Sequence, residues 1–314
     1  MTFQAFRGRG PISFPRDAEP PDPKRPDPQG YEATPDLVNA VNVALTLGRP
    51  LLLTGEPGTG KSELARRLSH ELGLGEPLRF DARSSSVAAD LFYRFDSVRH
   101  FADSQLAAAL KQPLPAEGKF IRYQKLGQAI LSSLASPPRR RVVLIDEIDK
   151  APRDFPNDLL AAVEDLRFEV PELQTDVVAD PAHAPIIVIT SNSEKQLPEA
   201  FLRRCVYHHI EIPSNEAEAR AWIERILERR LQTVQAGGGT AYGEALKVFL
   251  DLRRDGRTEK KPSTSELLDW MQALASRIDW NGSLSPEDAR ACIGTLAKTS
   301  GDLALALTLL RKSD

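Results

Sequence analysis

Short apolar runs alternate with segments of helical periodicity through the first two thirds of the chain. Apolar residues at helical spacing predict a helix over Pro35–Leu47, and a short apolar run after it predicts a strand over Leu51–Thr54. Further strands are predicted over Leu78–Asp81, Val142–Ile145 and Ile186–Ile189. Unbroken runs of β-branched residues and leucine are typical of parallel strands buried on both faces. The pattern therefore predicts an α/β fold, a parallel sheet flanked by helices.

The pattern changes after Pro213, where no convincing strand remains. Helix-start signals recur there: Asn215 is followed by Glu218, and Ser263 by Glu266, as in a capping box. Ser285 begins a third helix, and a fourth follows near Gly301. The segment 214–314 is therefore predicted to be a small all-helical domain.

These patterns divide the chain into three predicted parts. Residues 1–30 are rich in proline and charge and predict a flexible tail. Residues 31–213 form the α/β domain, with an insert at about 86–125 whose strands are expected near Leu91–Asp96 and Phe120–Tyr123. The aromatic residues of this insert either contact a substrate or pack the insert onto the sheet, and packing is the favoured interpretation.

Composition narrows the class of protein. Apolar residues make up 41% of the 314 residues and charged residues 27%, as in globular proteins, and the net charge is 41 − 44 = −3. This balance argues against a nucleic-acid electrostatic footprint. Two cysteines are too few for a disulfide framework, so we expect a reduced, cytoplasmic setting. Neither a signal peptide nor a membrane span is expected.

A complete G-x-x-x-x-G-K-[ST] motif follows the first predicted strand and precedes a predicted helix. Its glycines allow backbone N–H groups to surround a phosphate, its lysine reaches the β- and γ-phosphates, and its last hydroxyl binds Mg²⁺. The predicted nucleotide-binding residues are Gly55, Glu56, Pro57, Gly58, Thr59, Gly60, Lys61 and Ser62.

Polar side chains end two other predicted strands. Asp146 and Glu147 follow Val142–Ile145, at the strand edge where ligands bind in α/β sheets. We expect Asp146 to hold Mg²⁺ through water and Glu147 to orient or deprotonate the attacking water. Asn192 follows the next apolar run and either aligns that water or caps a turn.

Together these motifs, with Asp146–Lys150, Ile189–Asn192 and Leu197–Cys205 in the same order, resemble the MoxR-type branch of the AAA+ superfamily over residues of about 31–312. The resemblance implies ATP and Mg²⁺ as cofactors and a homo-oligomeric ring, with a hexamer expected. It also implies a protein partner, typically one with a von Willebrand factor A domain. Arg203 and Arg204 resemble the segment that carries an arginine finger acting on the neighbouring subunit's ATP, and Arg204 is favoured.

One position departs from this family. Many members carry an arginine early in a lid helix that touches the γ-phosphate, and Ser265 stands where we expect it. Either Lys260 or Lys261 substitutes for this arginine, or the contact is missing.

Other functions remain as alternatives. A nucleic-acid motor or loader would require a basic stripe, and the cluster Arg139–Arg141 looks instead like a solvated strand start. A small-molecule kinase would explain the phosphate loop alone, and a non-hydrolysing scaffold is disfavoured by Glu147. His208 and His209 lack further metal ligands at suitable spacing and are interpreted as structural.

Overall fold

A five-stranded parallel sheet forms the centre of the molecule. The computed structural model describes residues 27–193, 197–213, 215–230 and 239–311. The predicted tail therefore lies outside the described residues up to residue 26. The strands of the sheet are β1 (Leu51–Gly55), β2 (Leu78–Asp81), β5 (Val142–Asp146), β8 (Ile186–Ser191) and β9 (Val206–Ile210). Their order across the sheet is β2-β5-β8-β1-β9.

Two antiparallel pairs and a series of helices complete the described fold. The pairs join β3 (Tyr93–Phe95) to β4 (Ile121–Tyr123), and β6 (Arg167–Val170) to β7 (Thr175–Val178). The helices that precede β9 are α1 (Pro35–Leu47), α2 (Lys61–Glu71), α3 (Ser97–Ala109), α4 (Lys125–Ser133), α5 (Phe155–Asp165) and α6 (Glu199–Leu202). The helices that follow it are α7 (Glu216–Arg230), α8 (Thr240–Arg254), α9 (Thr264–Ala275), α10 (Pro286–Cys292) and α11 (Ser300–Arg311).

The central strands are buried on both faces, as their apolar runs predict. Along β5, Val143 and Ile145 belong to one hydrophobic cluster, whereas Val142 and Leu144 belong to another on the opposite face of the sheet. Alternate side chains of a strand point to opposite faces, so both faces need helical cover. The predicted parallel sheet flanked by helices is confirmed.

β9 is an edge strand that the sequence pattern does not predict. It pairs in parallel with β1, with Leu51 opposite Val206 and Gly55 opposite Ile210. This pairing carries His208 and His209 to the same end of the sheet as the glycine-rich turn.

The insert contains more structure than its pattern indicates. Its two predicted strands occur as the shorter β3 and β4, and α3 lies between them. The rings of Phe92, Tyr93 and Tyr123 lie 5.1, 6.3 and 6.2 Å from that of Phe168. These contacts support the packing interpretation for those aromatics.

The C-terminal helices form a separate hydrophobic cluster around Trp270 and Phe249, both fully buried. Capping begins these helices where the sequence predicts: the Asn215 side chain accepts from the N–H of Glu218, and Ser263 and Glu266 form a reciprocal box. α8 is a helix that the pattern does not predict. The exact domain limits remain predictions.

Candidate active site

The glycine-rich turn Gly55–Ser62 connects β1 to α2. Gly58 and Gly60 have φ values of 75° and 87°, a region that residues with a Cβ rarely adopt. A Cβ on Gly55 would overlap the carbonyl oxygen of Ile210 on β9. Glycine is therefore required for the turn to fold tightly, and the turn presents its backbone to a cleft at the start of α2.

Lys61 starts α2 and is only 7% exposed. Its Nζ donates to the carbonyl oxygens of Gly55 at 2.7 Å and Glu56 at 2.8 Å. Burial lowers the pKa of Lys61, against the opposing charges of Asp149 and Asp146. The ammonium group is thus held within the turn where a phosphate would be bound.

Hydrogen bonds join the turn to the acidic end of β5. Asp146 is 2% exposed, and its Oδ1 accepts from Ser62 Oγ at 2.7 Å and from Thr190 Oγ1 at 2.5 Å. Its Oδ2 lies 2.8 Å from Arg79 Nη2. Thr190 and Arg79 line the cleft and are contacts that the sequence interpretation missed. A threonine inside the apolar run of β8 was the available signal for Thr190.

Glu147 adopts a left-handed backbone conformation, with φ 55° and ψ 51°. A non-glycine residue in this region costs about 1–3 kcal/mol, and such strain is concentrated at functional sites. Its N–H donates to Thr190 Oγ1 at 2.9 Å, and its carboxylate pairs with Lys150 Nζ at 2.5 Å. The turn directs a partly exposed carboxylate towards the cleft beside Asp146.

Asn192 follows β8 and also lines the cleft. Its backbone N–H donates to Asp149 Oδ1 at 3.1 Å, and Ser191 Oγ donates to the same oxygen at 3.2 Å. Asp149 thus fixes the chain that carries Asn192 beside the acidic pair.

Arg203 and Arg204 do not line this cleft. Arg203 pairs with Glu199 and is 76% exposed, whereas Arg204 pairs with Glu164 at 2.5 Å and is 46% exposed. Within a single chain, neither arginine joins the other predicted site residues.

The cleft has a volume of about 790 Å³ and lies between the sheet domain and the C-terminal helices. Away from the phosphate loop, the wall of the cleft combines aromatic and aliphatic side chains with a charged one. These residues are Tyr31, Trp222, Ile226, Leu268 and Arg230. The Tyr31 ring would lie 3.1 Å from a Cβ on Gly60.

The sequence analysis left open whether Lys260 or Lys261 replaces the lid arginine at the cleft. Lys260 and Lys261 do not line the cleft, and the Lys260 backbone N–H is bonded to Asp302. Neither lysine therefore takes the position of the missing arginine. Ser265 does line the cleft, as does Arg230, whose Nη2 lies 3.8 Å from Glu63 Oε2.

The residues at this site fit a nucleotide with Mg²⁺. Ser62 and Asp146 supply hard oxygen donors, and Mg²⁺ commonly takes one or two protein ligands and completes its shell with phosphates and water. Within the described ranges no cluster of three or more His, Cys, Asp or Glu side chains is arranged to hold a metal by itself. His209 instead bonds Thr54 Oγ1 through Nδ1 at 2.8 Å, although both His208 and His209 line the cleft.

A glycine-rich phosphate loop after β1, with an acidic pair at the end of another parallel strand of the same sheet, defines a P-loop nucleotide-binding protein. Residues 50–205 match the family model of the AAA domain (dynein-related subfamily), and the chain belongs to this family. Proteins with this domain generally bind and hydrolyse ATP.

Comparison with solved structures finds similarity to the crystal structure of the FIGL-1 AAA domain in complex with ADP. The identity is 18%, the TM-score is 0.40, and the match covers 84% of this chain and 78% of that one. Comparison with curated proteins found no significant match. None of the helices in the described ranges has the length and apolarity to cross a bilayer.

Proposed function

We propose that this protein is a Mg²⁺-dependent ATPase that assembles as a ring and remodels or activates a protein partner. The observation that carries the catalytic part is the pair of hydrogen bonds from Ser62 and Thr190 to Asp146 Oδ1. These bonds join the phosphate loop to the acidic strand end, so the groups for phosphate binding and hydrolysis share one cleft.

Each residue of the site has a role in this proposal that follows from its chemistry. Backbone N–H groups of Gly55–Ser62 and the Lys61 ammonium bind the phosphates, and the N-terminus of α2 adds a favourable dipole. Ser62 and Asp146 would hold Mg²⁺, which would supply positive charge to neutralise the phosphates. Glu147 orients the attacking water and accepts its proton, and Asn192 aligns that water.

Arg203 and Arg204 act on a neighbouring subunit in this proposal. Both lie on the surface away from their own cleft, which is the arrangement a residue acting in trans requires. An arginine supplied in trans stabilises charge on the transferred phosphoryl group and contributes about 10³- to 10⁵-fold in rate in other systems. Arg204 remains the favoured residue.

The resemblance to the MoxR type supports the rest of the proposal: a ring with a hexamer expected, and a protein partner with a von Willebrand factor A domain. Both thiols are free and buried, which suits the expected reduced, cytoplasmic setting. The nucleic-acid alternative gains no support from Arg139–Arg141, because Arg141 Nη2 donates to the Glu76 carbonyl at 3.0 Å and is not fully solvated.

Glu147→Gln tests the catalytic assignment. This variant should bind ATP with unchanged affinity in calorimetry but release phosphate at least about 100-fold more slowly, because it lacks the base. Glu287→Gln, in the exposed first turn of α10 and outside the cleft, is the matched control for the same substitution. Normal phosphate release by Glu147→Gln would exclude the proposed role.

Mixed rings test the action in trans. Arg204→Ala and Glu147→Gln proteins are each expected to be inactive, and mixing them should restore part of the activity because some interfaces then hold both wild-type residues. Absence of rescue in rings shown to be mixed by mass measurement would contradict the trans role of Arg204.

A further inference from the structure

Arg203 and Arg204 differ in which part of the guanidinium group is engaged. Arg203 donates to Glu199 Oε1 through both Nε, at 3.1 Å, and Nη2. Arg204 approaches Glu164 Oε1 most closely through Nε, at 2.5 Å, and within the described part of the chain neither of its Nη groups makes a hydrogen bond. Arg204 therefore keeps both terminal nitrogens available for a further partner.

This difference determines which arginine is prepared to bind a phosphoryl group on another subunit. A guanidinium group binds phosphate through two parallel N–H groups, and the two Nη nitrogens at its tip form one such fork. The fork of Arg204 is available, whereas Glu199 engages one Nη group of Arg203. Arg204 is thus the better suited of the two to a bidentate contact.

The two segments that carry the Arg204 ion pair pack into the same hydrophobic core. Glu164 lies near the end of α5 and follows the buried Val163, and Arg204 follows α6 and precedes the buried Cys205. Val163, Cys205 and Phe201 of α6 belong to one cluster of buried residues. Because this packing fixes both backbones, the ion pair can set the direction of the long arginine side chain.

The ion pair of Arg203 is local by comparison. Glu199 begins α6 and Arg203 caps its C-terminal end, so the pair spans a helix of only four residues, and both side chains are 76% exposed. An i,i+4 pair of this kind stabilises its own helical turn and holds the guanidinium against that turn. It therefore does not direct Arg203 away from its own subunit.

We propose that Glu164 is a positioning residue for Arg204: its carboxylate holds the guanidinium through Nε and points the Nη groups at the ATP bound by the neighbouring subunit. The inference rests on the proposed ring ATPase with its trans-acting arginine, and it assigns a role to a glutamate that does not line the cleft. Glu164 touches no substrate in this arrangement. Its carboxylate affects hydrolysis only through Arg204, and only in the neighbouring subunit's cleft.

Glu164→Gln removes the charge and keeps the shape of the side chain. Loss of an exposed ion pair should lower the rate of phosphate release about threefold, while the KM for ATP and the melting temperature stay unchanged. Glu164→Arg places a like charge beside Arg204 and should lower the rate about tenfold. Glu199→Gln is the matched control, because it breaks the corresponding ion pair of Arg203, and it should retain the wild-type rate.

Mixed rings separate a positioning role from a structural one. In rings of Glu164→Arg and Glu147→Gln subunits, the rate per Glu164→Arg subunit should rise several-fold, because its intact cleft then receives a correctly held arginine from its neighbour. Mixing Glu164→Arg with Arg204→Ala should give no such rise, since both defects lie on the same side of the subunit interface. A structural defect would instead stay with the Glu164→Arg subunit in either mixture.

Three results would overturn the inference: unchanged rates in both Glu164 variants, a loss in Glu199→Gln instead, or no rise in rings shown to contain both Glu164→Arg and Glu147→Gln subunits. Full activity of Arg204→Ala would reject the proposed trans role on which the inference rests. Absence of ATP hydrolysis by the wild-type protein would reject the proposed ATPase itself, so the three kinds of failure are distinguishable.

Discussion

The two sides of the cleft use different chemistry. The sheet side presents buried charges, Lys61 and Asp146, both fixed by hydrogen bonds to neighbouring backbone or side chains. Apart from Glu218 and Arg230, the helical side presents hydroxyls and apolar side chains, chiefly Thr264, Ser265 and Trp222.

This difference implies that the two sides of the cleft contribute unequally to nucleotide affinity. A buried charge interacts strongly with phosphate and depends on a rigid support, which the parallel strands provide. A neutral hydroxyl contributes about 1 kcal/mol, so its loss changes affinity modestly. We therefore expect the sheet side to determine whether nucleotide binds, and the helical side to make a smaller contribution to its affinity.

Among the variants that test this difference between the two sides, Lys61→Ala should have the largest effect on ATP affinity. Loss of the charged partner of a phosphate costs about 3 kcal/mol, so ATP affinity in calorimetry should fall at least about 100-fold. Lys298→Ala, a lysine on the helical side that lies outside the cleft, is the control and should leave affinity unchanged. Retained affinity in Lys61→Ala would mean that the sheet side does not dominate binding.

Gly58→Ala disturbs both sides at their contact. The added Cβ is strained at φ 75° and collides with Ser263 and Ser265, so ATP affinity should fall about tenfold. Gly48→Ala is the matched control, because Gly48 has a similar φ of 62° but no atom within 4 Å of an added Cβ. Both variants should lose thermal stability, whereas only Gly58→Ala should lose affinity. Equal affinities in the two variants would indicate that the close approach of α9 has no effect on binding.

Arg253→Ala should have the smallest effect. Its ion pair with Glu56 is partly exposed, since Glu56 is 48% exposed, and such pairs contribute up to about 1 kcal/mol. ATP affinity should fall about threefold. Arg257→Ala, which removes the local pair with Asp255, is the control. A double-mutant cycle with Glu56→Ala measures the coupling; strictly additive losses would show that the pair does not link the two sides.

The central strands could be predicted because their signal is local. Val142–Ile145 and Ile186–Ile189 are continuous apolar runs, and both lie within strands of the observed sheet. β9 could not be recognised in the same way, because Tyr207, His208 and His209 interrupt its apolar pattern. Its strand conformation follows from pairing with β1, a contact between residues far apart in the chain. β6 and β7 are similarly short and pair only with each other in the sheet topology.

The sequence by itself determined the phosphate loop. Gly55–Ser62 are contiguous, and the backbone freedom of their glycines and the charge of their lysine are local properties of the chain. The tertiary structure alone decided which side chains surround it. Ser62 and Asp146 are 84 positions apart, and Thr190 lies a further 44 from Asp146. Arg79 and Thr190 acquire their contacts with Asp146 only when strands distant in sequence converge, because hydrogen bonds and burial depend on separation in space.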